Sequence, residues 1–314
     1  MKLLVIVVTY NAMQWAERCF DSLKASSIEN DVFVVDNGSS DGTQDYIKKN
    51  YPSVIFKQNE TNLGFGKANN IGLQHAHDNN YDYVYLLNQD AWVTPDTFEK
   101  LIAIQMRHPE YGVLSPMQLE ANCVRFDKIF GLVCSMQHHH DFLNDLYFNR
   151  LKDVYSVDDV MAAHWLISKD CLEKVGGFSP TFPHYGEDNN FNHRVYFKGM
   201  KVGIVPGARA IHDRESRIET KEKKMYMFYV NWLKTLSNPL DNSSHNLLSL
   251  IKESISKAKL FKSIMPIKYG VRILCNWRII QKYKQISKNI DLAFLVNNIT
   301  CLPLIIVLAL AIAT

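Results

Sequence analysis

Apolar and polar positions fall in blocks along the first 115 residues, and the block lengths predict the elements. Leu3-Leu4-Val5-Ile6-Val7-Val8 is an unbroken apolar, β-rich run. That is the pattern of a parallel strand covered on both faces. Met13 to Lys24 instead carries Trp15, Cys19, Phe20 and Leu23 at helical spacing. Asp31 to Asp36 reads as a second strand, ending in Asn37-Gly38-Ser39-Ser40-Asp41-Gly42, a dense loop signal. Thr43 is placed to cap a helix reaching Asn50. Val54 to Phe56 predicts a third strand, Lys67 to His77 a third helix, and Tyr83 to Leu87 a fourth strand. Strands separated by helical stretches imply βαβ units, hence an α/β fold with a mostly parallel sheet flanked by helices. Further on, Val160 to Lys169 predicts a strand and Glu187 to Lys198 a short helix. Lys201 to Val205 predicts another strand, closed by Pro206-Gly207. Residues 116–160 hold His138-His139-His140 and little periodicity. They read as a loop or irregular insertion lining an acceptor cleft.

Every early strand ends in a polar cluster. The first gives Thr9-Tyr10-Asn11, the second Asp36-Asn37-Gly38, the third leads to Asn62-Leu63-Gly64, and the fourth ends in Asn88-Gln89-Asp90. In a parallel sheet these ends share one edge, where ligands bind.

Composition changes the picture mainly through its distribution. The chain has 314 residues, 47% hydrophobic and 21% charged, with a net charge of +3. These values exclude disorder and a polytopic membrane protein, and so small a charge does not indicate a nucleic-acid partner. Six scattered cysteines without a C-x-x-C pair fit a reducing cytosol rather than a disulfide framework. The Leu3–Val8 run is too short for a signal peptide core, so the body is expected to stay unexported. The charge is uneven, however. Residues 241–290 hold ten Lys/Arg against Asp241 and Glu253, whereas 291–314 hold Asp291 alone and are largely apolar. The chain therefore divides into a catalytic region, 1–240, and a basic helical segment with an apolar tail, 241–314. Residues 292–313 are long enough to span a bilayer, but Asn297, Asn298, Thr300 and Pro303 also allow an interfacial segment or a packed helix. Beside this tail the basic stretch predicts attraction to anionic lipid, with Trp277 and Tyr283 at the interface.

Several chemistries are excluded. There is no G-x-G-x-x-G after the first strand, no G-x-x-x-x-G-K-[ST] and no G-x-S-x-G. What remains is carboxylates, amides and small residues at strand ends. Asp36 is suited to a nucleobase imide or a ribose. Asp90 is suited to a hard divalent cation that shares diphosphate oxygens. His212 is either its second ligand or a surface histidine. Glu187 and Asp188 open a helix after Gly186, as dipole-capping acids or as a general base. Trp165, Phe182, His184 and Tyr185 would suit a sugar cleft or the core.

Taken in order, these segments resemble glycosyltransferase family 2, with the GT-A fold, and look most like its rhamnosyltransferase-type members. The segments are Val7 to Asn11, Val34 to Gly42, Asn62 to Gly72, Leu86 to Asp90 and Gly186 to Asp188. The resemblance covers residues 1 to about 235. It implies inverting transfer from a nucleotide diphosphate sugar, dTDP-rhamnose or a UDP-sugar, to a lipid-linked glycan in cell-surface polysaccharide synthesis. It also implies that Thr9, Tyr10, Asn11, Asp36, Asn37 and Gly38 hold the nucleoside, and that Asn62, Gly64, Asn69, Asn88 and Gln89 shape the donor pocket. Asp90 would bind Mg²⁺ or Mn²⁺ with His212, and Asp188, beside Glu187, would be the base. Asn88 stands where the family's D-x-D has its first Asp. With the tail, the expected location is the cytoplasmic face of the plasma or inner membrane, peripheral or through one C-terminal anchor. A catalytically silent scaffold that binds glycan or nucleotide sugar is the alternative.

Overall fold

The first strand becomes β1 (Leu3–Thr9), the middle of the parallel half of a mixed sheet. A computed structural model describes residues 1–135, 140–214, 220–243 and 247–295. After β1 come α1 (Met13–Lys24), β2 (Asp31–Asp36), α2 (Thr43–Asn50), β3 (Ile55–Gln58), α3 (Phe65–Asp78) and β4 (Tyr83–Asn88). Strands β3-β2-β1-β4 are parallel neighbours, so the polar ends of β1, β2 and β4 lie side by side. Both faces of β1 are apolar. Leu4 and Ile6 enter the core under α3, while Leu3, Val5 and Val7 enter the core under α1. A Cβ on Gly72 of α3 would lie 2.7 Å from Ile6, so glycine lets that helix sit hard against β1.

The second half is built by β5 (Ala91–Val93), α4 (Thr97–Arg107), β6 (Tyr111–Leu119), α5 (Phe130–Val133) and α6 (His140–Tyr147). Then follow β7 (Tyr155–Ser156), β8 (His164–Ser168), α7 (Lys169–Val175), α8 (Glu187–Phe197) and β9 (Lys201–His212). β8 runs antiparallel between β4 and β6; β9 lies parallel to β6 and carries β5 and β7 on its other side.

Three expectations are corrected here, and Trp165, open between sugar cleft and core, is decided. Residues 116–160 are not simply a loop. β6 continues to Leu119, with Gln118 donating to the Ser115 hydroxyl, which donates to Pro116 O, so most of these buried polar atoms are paired inside a strand. Pro206-Gly207 does not end its strand. The pairing with β6 jumps from Pro116–Val205 to Met117–Arg209, and the bulge absorbs the proline. Thr43 does not cap its own helix. Gly42 takes that position, and the Thr43 hydroxyl accepts from Ala12 N and donates to Asp41. Trp165 is core, stacked on Phe178 and fully buried.

Beyond these lie α9 (Lys221–Ser237), α10 (Leu247–Phe261), α11 (Met265–Cys275) and α12 (Trp277–Asn289). They share one core in which Phe182, Phe228, Leu233 and Leu236 meet Leu250, Ile273 and Ile280. The boundary at residue 240 falls inside this packing. Past α12 the chain returns to the catalytic body. Leu292 N donates to Glu173 O, Ala293 O accepts from Gly177 N at 2.7 Å, and Leu295 joins the core under α3. The start of the apolar tail is thus a buried turn rather than part of a membrane helix. The rest of the tail, 296–314, lies outside the described residues, as do His138 and His139. Among the described residues no helix is long and apolar enough to cross a membrane.

Candidate active site

The β1 and β2 ends lace two loops together. Asp36 is fully buried and accepts from five donors: the Thr9 and Ser39 hydroxyls, the Gln44 amide, and the backbone N–H groups of Gly38 and Ser39. A carboxylate offers about four lone-pair sites. Asp36 and Thr9 therefore act as a brace between the two loops. Asn37 is also buried, taking bonds from Asn59 and Leu63 N. Gln89 grips the Tyr10 backbone at both ends, accepting from its N–H and donating to its carbonyl. The result is an exposed Tyr10 ring on a backbone fixed from two sides. Asn11 and Gly38 adopt left-handed backbone in the same loops, and Asn11 accepts from Ser40 N. Asn62 accepts from Gly64 N just ahead of α3, and Gly64 is that helix's cap residue. Asn69 is buried and bonds back to Phe65 O, so it serves its own helix. Of the expected nucleotide ligands, Tyr10, Asn11 and Asn62 are exposed and Gly38, Gly64 and Asn88 are half-buried. Thr9, Asp36, Asn37, Asn69 and Gln89 hold this sheet edge in shape.

Antiparallel pairing of β5 with the end of β9 sets Ala91 opposite His212 and so brings Asp90 beside it. His212 Nε2 is 3.5 Å from Asp90 Oδ1, and its Nδ1 is 3.5 Å from Asp127 Oδ2. Burial works to raise the Asp90 carboxyl, but His212 and Arg214 outweigh it and hold it low. Asp127 is buried, accepts from Ile129 N and Phe130 N, and takes the Arg214 guanidinium at 3.1 Å. His164 lies behind. Its Nε2 faces the Ile211 carbonyl, which only accepts, so that nitrogen carries the proton and Nδ1 accepts from the Tyr85 hydroxyl. Burial depresses His164 to about 3, so it pins β9 as a neutral ring.

The donor set at Asp90 fits a hard cation of limited protein ligation. His212 Nδ1 is buried without a hydrogen bond, and its other nitrogen faces a carboxylate. Among the described residues no group of three His, Cys, Asp or Glu forms a complete cage. One carboxylate and one imidazole suit an ion that completes its shell with diphosphate oxygens and water.

The acids of α8 sit at the other side. Tyr185 and Gly186 are left-handed in succession, at φ 62° and 87°. A Cβ on Gly186 would lie 2.9 Å from Val230. For a bulky residue such as Tyr185 that conformation costs about 1–3 kcal/mol, a strain typical of functional sites. The turn buries Glu187, whose Oε2 has no hydrogen-bond partner, and leaves Asp188 half-buried with Asn189 N donating to it at 2.8 Å. A third acid, missed in the sequence, joins them. Asp159 accepts from Asn192, one helical turn beyond Asp188. The only sequence signal was Asp158-Asp159 standing just before the apolar run from Val160. Burial first, and then the Asp188 charge, push Asp159 up to about 7 and Glu187 up to about 8. Burial also raises Asp188, against its neighbour's N–H and the Lys234 and Arg214 charges. The Arg214 charge works to lower both Asp90 and Asp188. An aromatic approach borders the acids. His184 and Tyr185 rings lie 3.9 Å apart, Tyr226 donates to His184 O, and Tyr229 and Tyr269 stack behind. Phe182 belongs to the helical core instead.

Glu187 yields a stability test. Its folded pKa lies above its unfolded value near 4.5, so the folded chain keeps a proton that the unfolded chain releases. Stability is full below about pH 4.5 and falls as pH rises through about 8. Glu187→Gln is expected to raise the Tm little at pH 5 and clearly at pH 8.5. Thermal unfolding at the two pH values decides it, and an equal shift at both would show that Glu187 ionises normally.

This constellation, a parallel sheet edge carrying a half-buried carboxylate opposite a crowded acid cluster, defines a nucleotide-sugar transferase of the GT-A type. The chain belongs to glycosyl transferase family 2, whose model matches residues 4–176. It is similar to N-acetylglucosaminyl-diphospho-decaprenol L-rhamnosyltransferase of Mycobacterium tuberculosis, 25% identical over 253 residues, covering 71% of this chain and 82% of that protein. Its fold is similar to that of S. aureus TarS 1-349 in complex with UDP-GlcNAc, with a TM-score of 0.56, 18% identity, and 92% and 90% of the two chains covered. It is also similar to GalNAc-T7 with UDP, GalNAc and Mn²⁺, with a TM-score of 0.52, 14% identity, and 89% and 57% covered.

Proposed function

We propose that this glycosyltransferase moves a sugar, with inversion, from a nucleotide diphosphate sugar to a hydroxyl of a lipid-linked glycan used in cell-surface polysaccharide. The observation that supports this reading is the cluster of half-buried Asp188 and Asp159 with buried Glu187 at the start of α8, in a chain whose β4 and β9 ends pair Asp90 with His212. Asp188 takes the proton from the acceptor hydroxyl as that oxygen attacks the anomeric carbon, in line with the departing diphosphate. Crowding by like charges favours uptake of a proton by one member of the cluster, the property a base needs near neutral pH. Asp90 and His212 would hold Mg²⁺ or Mn²⁺, with Asn88 supplying a neutral oxygen in place of a carboxylate. When bound, the ion offsets the charge growing on the leaving diphosphate. The ring of Tyr10 offers a surface for the nucleoside, and the braced loops keep it in place.

The GalNAc-T7 structure with Mn²⁺ supports the cation, and the mycobacterial relative supports a polyprenyl diphosphate acceptor. The donor is dTDP-rhamnose by that relative's sugar, or a UDP-sugar by the TarS complex. Work on such an acceptor supports a location at the cytoplasmic face of the plasma or inner membrane. The silent-scaffold reading has no observation in its favour. Products from a panel of nucleotide sugars, offered with N-acetylglucosaminyl-diphospho-polyprenol and Mg²⁺ or Mn²⁺, test the proposal by mass spectrometry and NMR of the new linkage. One donor is expected to give an inverted glycoside. No product from any donor, or a retained anomer, overturns it.

A further inference from the structure

Helices α10 and α11 each turn an apolar stripe outward. On α10, Leu248, Ile251 and Ile255 share one face and are 59%, 42% and 44% exposed. Along α11, Ile264, Ile267 and Val271 repeat the spacing at 61%, 37% and 51%. Lysines 252, 259 and 262 accompany the first stripe, and Lys268 and Arg272 the second, all exposed. The opposite faces are used up inside the protein. Leu250 and Ile273 enter the helical core, and Ser254 packs onto Gly270. The one acid in the two helices, Glu253, accepts from the Trp232 indole of α9. The outer surface therefore joins branched apolar side chains to five cations, against the single carboxylate of Glu253.

We infer that the outer face of α10 and α11 is a docking surface for an anionic bilayer. This rests on the proposed lipid-linked acceptor and names the surface that meets its membrane. Apolar residues flanked by lysine on helices lying flat are what an interfacial segment needs: the chains enter the acyl boundary and the ammonium groups stay among the phosphates. A second copy of this chain is a poor occupant, because pairing two such faces would oppose like charges. The inner side of α11 leads to the acids. Tyr269 stacks on Tyr229 at 5.2 Å, Arg272 lies over the same ring, and Tyr226 continues toward His184 and Glu187. One helix thus contacts lipid on its outer side and walls the aromatic approach on its inner side. An acceptor leaving the bilayer there would meet the catalytic acids after a few rings.

Flotation of the full chain on phosphatidylcholine vesicles, with and without phosphatidylglycerol, tests the inference. The wild type is expected to favour the anionic vesicles. The Lys252→Glu, Lys259→Glu, Lys268→Glu triple variant should lose that preference, by roughly five-fold per lysine. An Ile251→Ser, Ile255→Ser, Val271→Ser triple variant should bind both vesicle types more weakly. Donor hydrolysis in solution and the Tm are expected to stay at wild-type values in both variants. That separates loss of docking from misfolding and from failure of the transferase reading. Binding by both variants within about two-fold of wild type overturns the surface. A wild-type dimer that the serine variant converts to monomer in gel filtration would assign the face to a second copy and equally overturn it.

Discussion

Asp188→Asn is expected to abolish transfer while leaving donor binding nearly intact. Loss of a positioned base costs roughly 10²–10⁴-fold in rate. The amide keeps an oxygen to accept the 2.8 Å bond from Asn189 N, so the turn after Gly186 has no cause to rearrange. The change also removes the charge that crowds Asp159 and Glu187, so the folded protein should become no less stable above neutral pH. Single-turnover transfer, donor titration and thermal unfolding together give the answer. Normal turnover would remove Asp188 from the base role. Lost turnover accompanied by a collapsed Tm would instead mean that the variant had reported on folding.

The second large effect is expected at Asp90. Asp90→Ala should raise the Mn²⁺ or Mg²⁺ concentration needed for half-maximal activity by more than the 10–100-fold typical of an outer-shell change. It should also weaken Mn²⁺ binding measured with UDP in the absence of acceptor. Asp90→Asn is the informative companion, since it would leave amides at both positions 88 and 90. His212→Ala should weaken Mn²⁺ in the same direction and leave a void between Asp90 and Asp127. Metal dependence unchanged in Asp90→Ala would count against its assignment.

The first 90 residues were legible because a parallel strand buried on both faces must be apolar throughout. Leu3 to Val8 and Tyr83 to Leu87 have no other reading, and the turns between them need Gly, Asn and Asp. The ordered motifs at their ends then pointed to one family. What stayed hidden depends on partners far away in sequence. The pairing of Asp90 with His212 was expected by resemblance, but the antiparallel register between β5 and β9 that makes it leaves no local trace. Asp127 and Asp159 lie in a stretch whose polar residues mask a strand, because Gln118 finds the Ser115 hydroxyl only once both are buried. Pro206 looked like a stop because a bulge is invisible until its partner strand is known. The bracing role of Asp36 was hidden for the same reason: its five donors come from Thr9, Gly38, Ser39 and Gln44, and only the fold brings Thr9 to it.

The return of Leu292–Leu295 to the core bears on how the enzyme is mounted. Ala293 and Leu295 are held beneath the catalytic body, with Gly177 bonded to the first of them. The chain therefore leaves Leu295 from a fixed point on the transferase body. A truncation meant to free the catalytic body should stop after residue 295, since one at 240 would uncover Phe182, Phe228 and Leu236.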